Sequence, residues 1–250
     1  MADSDTTYVS VWAKPAPETR STLTRDQIVV AAMELLDRDG IEGLSMRNLA
    51  SGLEVGATTL YWHVANRQEL LALVVNEVYG EVELLDPEEA DWRSAVRHLA
   101  HQTRAGVLRH PWVVSVLDLL VGDSFAPNLV RITEHMLVVL EGAGFALREA
   151  ERALSTVSAY VLGISLSEAA WRGAGYADEQ GDEAVAAEWQ RLAMTATEDA
   201  PRLRALFTAY EDVDVERTTT DDFEYGLDRV LDGLQLRLDA IAGTGSGGRG

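Results

Sequence analysis

Along most of this chain apolar residues recur three and four positions apart, and no stretch alternates long enough to predict a strand. Ile28, Ala31, Ala32, Leu35 and Leu36 form one such stripe, which Gly40 stops. Thr24 with Gln27 opens it as a capping box, the hydroxyl and the glutamine each satisfying one orphan amide. Leu49 and Leu53 behind Ser45 predict a short second helix, and Leu60 with Val64 a third, with Gly52 and Gly56 bracketing the break. Leu70, Leu71, Val74, Val75, Val78 and Val82 make a wide apolar face over residues 68–85, before Asp86 and Pro87. Asp91 caps a predicted helix to Leu108, Pro111 opens one through Val121, and Pro127 to Glu141 gives another, closed by Gly142 and Gly144.

The second half carries two longer patterns. Between Leu147 and Trp171, Ser155, Ala159, Gly163 and Ser167 recur every four residues, a ridge of small side chains that admits another helix closely. Leu227, Leu231, Leu234, Leu238 and Ile241 repeat at four-three spacing, as a bundle seam does. Gly173 to Pro201 is acidic and glycine-spotted, with a helical piece around 185–195, and reads as a lid. Residues 1–22 and 243–250 lack periodicity and read as a flexible arm and tail. The predicted fold is all-α: a three-helix domain over 23–69, then a helical bundle over 70–242.

Composition narrows the class. The chain has no cysteine, which excludes disulfides and thiolate zinc sites and fits a reducing cytoplasm. Its acidic, polar N-terminus is no signal peptide, and the longest uncharged run, Ala153 to Ser167, is short for a membrane span, so a soluble cytoplasmic protein is expected. The formal net charge is −20, with six basic and ten acidic residues up to Leu70 against fifteen and thirty-one beyond it. Such a body repels nucleic acid in general and leaves recognition to a small patch. Lys14, Arg20, Arg25, Arg47 and Arg67 lie where such a patch would be.

Residues 45–67, SMRNLASGLEVGATTLYWHVANR, concentrate the chemistry. Continuing the third helix at 100° per residue puts Thr58, Thr59, Trp62 and His63 opposite Leu60 and Val64, with Tyr61 on the flank. Hydroxyls, an indole and an imidazole facing outward suit a DNA groove, although an ordinary all-α core with Trp62 and His63 packed is the competing reading. The segments GIEGLSMRNLA and TTLYWHVANRQELL resemble the DNA-binding domain of the tetracycline-repressor family over residues 23–82. By that resemblance Arg47, Thr58, Thr59, Tyr61, Trp62, His63 and Arg67 occupy the DNA-contacting positions. Tyr61 and Arg67 suit phosphates, the two threonines suit base edges, and Arg47 suits guanine. Lys14 and Arg20 in the arm are candidates for the neighbouring minor groove. Glu54 stands in the turn where the family usually has glycine, an uncomfortable place for a β-carbon.

The resemblance further implies a homodimer, joined through helices around 147–171 and 222–241, that binds a palindromic double-stranded operator and is released by a small-molecule effector. Candidate effector-lining residues are His110, Trp112, Phe125, Met136, Tyr160 and Trp171, with Trp189 a weaker one. Counted without gaps, the family's drug-binding histidine falls at Glu83 and its magnesium-binding histidine at Leu117, so a metal-tetracycline effector is not expected, nor any cofactor or metal; an apolar or aromatic molecule fits better. An enzyme is not expected either. A di-metal carboxylate bundle needs Glu-x-x-His pairs, and no histidine here has an acidic residue three positions before it. His98 and His101 form a His-x-x-His pair that reads as partly exposed surface. A helical ligand-binding or partner-binding dimer without DNA specificity is the remaining alternative.

Overall fold

The computed structural model describes residues 23–87, 90–116, 125–173, 191–209 and 215–246, and among these every regular element is helical. Lys14, Arg20, Leu117, Trp189 and most of the expected lid lie outside the described residues. The chain divides into two compact units, residues 1–151 and 152–250.

The first unit begins with α1 (Arg25–Gly43), α2 (Met46–Gly52), α3 (Ala57–Tyr61) and α4 (Arg67–Gly80). Thr24 and Gln27 form the expected capping box, and Gly40, at φ 66°, breaks α1 where the sequence pattern stops. Ser45 and Asn66 cap α2 and α4 through their side-chain oxygens. Ile28, Ala32, Leu36, Leu49, Leu60, Val64, Leu70 and Val74 are buried in one cluster, which extends to Trp112, Val113 and Val116. No single helix here could bury its apolar stripe alone, and four short ones around a common centre can.

Helix α4 ends at Gly80, five residues before its predicted end. The Arg131 guanidinium takes the carbonyls of Val82 (3.0 Å) and Tyr79 (3.5 Å), so the terminus is satisfied from outside the helix. Upstream, the Asn128 backbone N–H donates to Asn76 Oδ1 (2.9 Å) and the Asn128 side-chain amide to the Asn76 carbonyl (2.8 Å). These bonds fix α4 against α6 (Pro127–Gly142), and Asn76 is buried by them. Burial also raises the pKa of the Tyr79 phenol.

Asp91 caps α5 (Trp92–Arg109) by accepting from the backbone N–H groups of Arg93 and Ser94, each at 3.0 Å. Residues Pro111–Val116 then form a tight 3-10 segment in place of an α-helix. α6 closes with Gly144 at φ 108°, its N–H donating to Glu141 and that of Phe145 to Leu140. Phe145 and Leu140 are both buried at this corner, the apolar contact that accompanies a left-handed helix end.

Helix α7 (Leu147–Gly173) leads into the second unit, which holds α8 (Pro201–Ala209) and α9 (Val215–Ser246). Pro201 starts α8, an element the apolar pattern did not predict, and none of its residues is buried. Within this unit the Tyr160 phenol on α7 donates to the Phe223 carbonyl on α9 at 2.8 Å. Val157, Val161, Ser165 and Ala169 give α7 a buried face, while Ser155, Ala159, Gly163 and Ser167 are all exposed. α7 is long and apolar enough by length and composition to cross a membrane, which its uncharged run alone did not indicate; 33% of its most apolar window is buried. On α9, Phe223, Leu227 and Leu231 are fully buried, and the later seam residues Leu234, Leu238 and Ile241 only partly.

Candidate nucleic-acid interface

α2 and α3 meet across a turn whose geometry is set by one residue. The Val55 N–H donates to the Ala50 carbonyl (3.0 Å) and the Glu54 N–H to the Ser51 carbonyl (3.2 Å). That pair of bonds closes a helix only when the residue between its cap and the next strand of chain is left-handed, a place normally given to glycine. Glu54 occupies it at φ 55°, the single positive-φ non-glycine among the described residues.

The turn delivers α3 with Leu60 and Val64 buried at 0% and 1% and with Trp62 and Tyr61 exposed at 71% and 52%. Thr58 and Arg47 are also exposed, Thr59 partly so. Two large aromatic side chains left in solvent on neighbouring positions, with the aliphatic ones beside them fully buried, form a surface awaiting a partner. Aromatic and hydroxyl groups at the edge of a helix offer hydrogen bonds and flat contact to a sugar-phosphate backbone and to base edges.

His63 departs from the expected outward face. α3 is helical only to Tyr61; the Trp62 and His63 N–H groups then donate to Thr59 and Leu60 in tighter turns (3.3 and 2.9 Å), which rotates the imidazole inward to 4% exposure. Its Nε2 has no hydrogen-bond partner there. Arg67 departs too. Its Nε donates to the Leu44 carbonyl (3.0 Å) and its Nη2 to the Ile41 carbonyl (2.8 Å), so the guanidinium staples the start of α4 to the α1–α2 connection. Glu69 does similar work that the sequence did not reveal. It accepts from the Ala65 N–H (3.2 Å) just after the recognition segment and from Arg25 on α1 (2.9 Å). Only the capping spacing from Asn66 marked Glu69 as structurally placed.

The expected effector-lining residues fall in both units, four of them in the first and two in the second. His110 and Trp112 are buried in the first unit, and both bind Asp37 of α1 at 2.7 Å, which makes them part of the support beneath the three-helix head. Met136 is 1% exposed in that unit, whereas Phe125 is 71% exposed. Tyr160 is bonded to α9 and Trp171 is half exposed, both in the second unit. At the position where the family's drug-binding histidine would fall, Glu83 is exposed, and its carbonyl lies 3.1 Å from His98 Nε2. No group of three or more potential metal ligands occurs among the described residues.

A short exposed helix delivered by a tight turn, set on a three-helix core and followed by a helical body, defines a helix-turn-helix DNA-binding regulator. Residues 28–74 match the bacterial regulatory proteins of the tetR family, and residues 86–238 the tetracyclin repressor-like C-terminal domain. The chain belongs to the tetracycline-repressor family of transcriptional regulators. It is 37% identical over 204 residues to an HTH-type transcriptional regulator of Saccharopolyspora erythraea, covering 80% of this chain and 82% of that one. It is 30% identical over 231 residues to the HTH-type transcriptional repressor DrrR1 of Streptomyces coeruleorubidus, covering 89% and 81%. Among solved structures, the Streptomyces coelicolor protein ActR in complex with actinorhodin superposes with a TM-score of 0.69 at 29% identity, covering 87% of this chain and 99% of that one.

Proposed function

We propose that this protein is a cytoplasmic repressor that binds a palindromic operator as a homodimer and is released by an apolar or aromatic small molecule. The observation that carries the reading is α3, where Tyr61 and Trp62 stand exposed beside fully buried Leu60 and Val64. Arg47 and Thr58 are also exposed and supply base contacts, while Thr59 is half-buried. Repression is supported by the likeness to DrrR1, and a small-molecule effector by the likeness to ActR, which was solved with actinorhodin.

The dimer forms through α7 and α9. The small-residue ridge of α7 is exposed along its length, and α9 carries exposed Tyr225 and Leu236. Packing small residues against a second helix allows close approach, and a second copy provides that helix. Two heads would then enter successive major grooves about 34–36 Å apart. Met136, Tyr160 and Trp171 are the leading candidates for effector contacts, and residues 23–69 and 70–242 for the DNA-binding and effector domains.

Selection of bound duplexes from a random DNA library by the purified full chain, followed by sequencing, tests the reading. Enrichment of a palindrome with two half-sites supports it. A folded dimer that enriches nothing would leave a helical ligand-binding or partner-binding protein instead.

A further inference from the structure

Ala126, at the N-cap position of α6, has no side-chain oxygen with which to close the first turn. The cap comes from another helix: the Asn128 backbone N–H donates to Asn76 Oδ1 on α4 at 2.9 Å, and the Asn128 side-chain amide donates to the Asn76 carbonyl at 2.8 Å. Asn76 is 7% exposed. One turn further along α4, a β-carbon on Gly80 would lie 2.8 Å from Asn128 Nδ2, so glycine leaves the room that this amide occupies. Arg131, one turn along α6, donates to the Val82 and Tyr79 carbonyls.

Other buried residues of the two helices, among them Leu73, Val74, Ile132 and Met136, are apolar. Apolar burial is non-directional and tolerates a slide or tilt of one helix on the other, whereas a buried pair of directional bonds accepts one register and leaves orphaned polar groups in any other. Leu70, Leu71 and Val74 of α4 share the apolar cluster of α1, α2 and α3, so the head moves with α4. The head has a second anchor, where Trp112 Nε1 donates to Asp37 on α1 at 2.7 Å. A body held at one point pivots, and a second point fixes its angle. A tilt of about 15° over the roughly 14 Å of α4 between Asn76 and Arg67 shifts the start of the helix by about 3.5 Å, close to the rise of one base pair.

We infer that Asn76 and Asn128 are positioning residues for operator recognition: their two bonds fix the angle at which α4 carries the head, and with it the separation of the two recognition helices in the dimer. Losing the amide of Asn128 leaves the head a range of angles, of which the operator accepts a part. Apparent affinity then falls in proportion to the fraction of dimers that hold the accepted separation. The inference rests on the homodimer and operator readings.

The test uses the full chain with Glu42→Cys, an exposed position of the head, carrying a nitroxide; the sequence has no cysteine, so only this site is labelled. Double electron-electron resonance then reads the distance between the two heads of the dimer without DNA, and one narrow distance is expected with the clamp intact. In Gly80→Ala the added carbon meets only the end of the Asn128 side chain, so the protein folds while the amide is pushed from the Asn76 carbonyl. Asn128→Ala removes the amide outright. Both should widen the distance distribution by about 3 Å or more. Both should also weaken binding to a fluorescein-labelled duplex carrying the selected palindrome by at least about fivefold, as when one dimer in about five holds the right separation. Unchanged distances in both variants, or widened distances with unchanged affinity, overturn the proposal. Absence of any inter-label distance with the clamp intact overturns the dimer reading and the clamp with it. Should no duplex bind, the operator reading fails, and the distances alone decide the clamp.

Discussion

The Tyr160 side chain fills the space that a β-carbon on Gly226 would need: built there, that carbon would sit 2.3 Å from the phenolic oxygen and 2.5 Å from two ring carbons. Glycine at this point of α9 thus lets α7 approach closely enough for Tyr160 to reach the Phe223 carbonyl, with the two aromatic rings 6.2 Å apart. Gly226→Ala should push the ring off α9 and destabilise the protein by about 1–3 kcal/mol, despite the better helix propensity of alanine. Urea unfolding checks this, and a neutral or stabilising result would show that the two helices can part at no cost.

The left-handed turn residue makes an opposite prediction. Glu54→Gly removes a β-carbon from a conformation that costs an ordinary residue about 1–2 kcal/mol, offset in part by the greater freedom of glycine in the unfolded chain. The net gain expected in thermal or denaturant unfolding is about 0.5–1 kcal/mol. Glu54→Ala keeps the β-carbon and should gain nothing. Both changes remove an acidic group from the turn, so both should tighten DNA binding at low salt, which separates the backbone effect from the charge effect.

Exposure separates contact from support in the recognition segment. Trp62→Ala and Tyr61→Ala should leave stability within about 0.5 kcal/mol, since both side chains are in solvent, yet weaken operator binding at least tenfold, roughly 1.4 kcal/mol. Leu60→Ala should instead cost about 2–5 kcal/mol of folding free energy. Arg47→Ala should relax preference at a single base-pair position, worth about 1–3 kcal/mol of discrimination, without loss of fold.

Arg67 also serves as a support. Arg67→Lys keeps the charge but offers its donors from one nitrogen, where Arg67 reaches the two carbonyls from Nε and Nη2, and Arg67→Ala keeps neither charge nor donors. If the staple matters, both variants lose stability by about 1–3 kcal/mol, measured by denaturant unfolding without DNA. Full rescue by lysine would return Arg67 to the role of a phosphate contact.

Helix α5 depends on Asp91. Hydrogen bonds from the Ser94 hydroxyl and backbone lower its pKa, so the ionised cap stabilises the fold above the ordinary carboxylate range, and that contribution is lost as pH falls through the lowered value. Asp91→Ala should cost about 1 kcal/mol near neutral pH and nothing further in acid, as read from thermal midpoints across pH.

Local rules made the helix starts legible. Thr24 with Gln27, Ser45, Asp91 and Pro127 each stand where capping chemistry or a proline's fixed φ places them. The errors arose where distant groups decided the outcome. α4 stops at Gly80 because Arg131, some fifty residues away in sequence, captures its last carbonyls. His63 was extrapolated on a helix that ends at Tyr61, and the bonds of exposed Arg67 to the Ile41 and Leu44 carbonyls were missed because nothing local reveals that those carbonyls face it. The bonds of His110 and Trp112 to Asp37 were likewise invisible locally, since Asp37 is more than seventy residues away.

The recognition helix is only five residues long, too short to be helical on its own in water. It exists because Leu60 and Val64 are anchored in the core beneath it, so its order is established when the protein folds and not when it meets DNA. Operator binding should therefore carry no coupled-folding signature from α3: calorimetry should return a heat-capacity change set by the interface area alone. A mismatched site should then be rejected by the geometry of a preformed reading head, with no folding step between encounter and rejection.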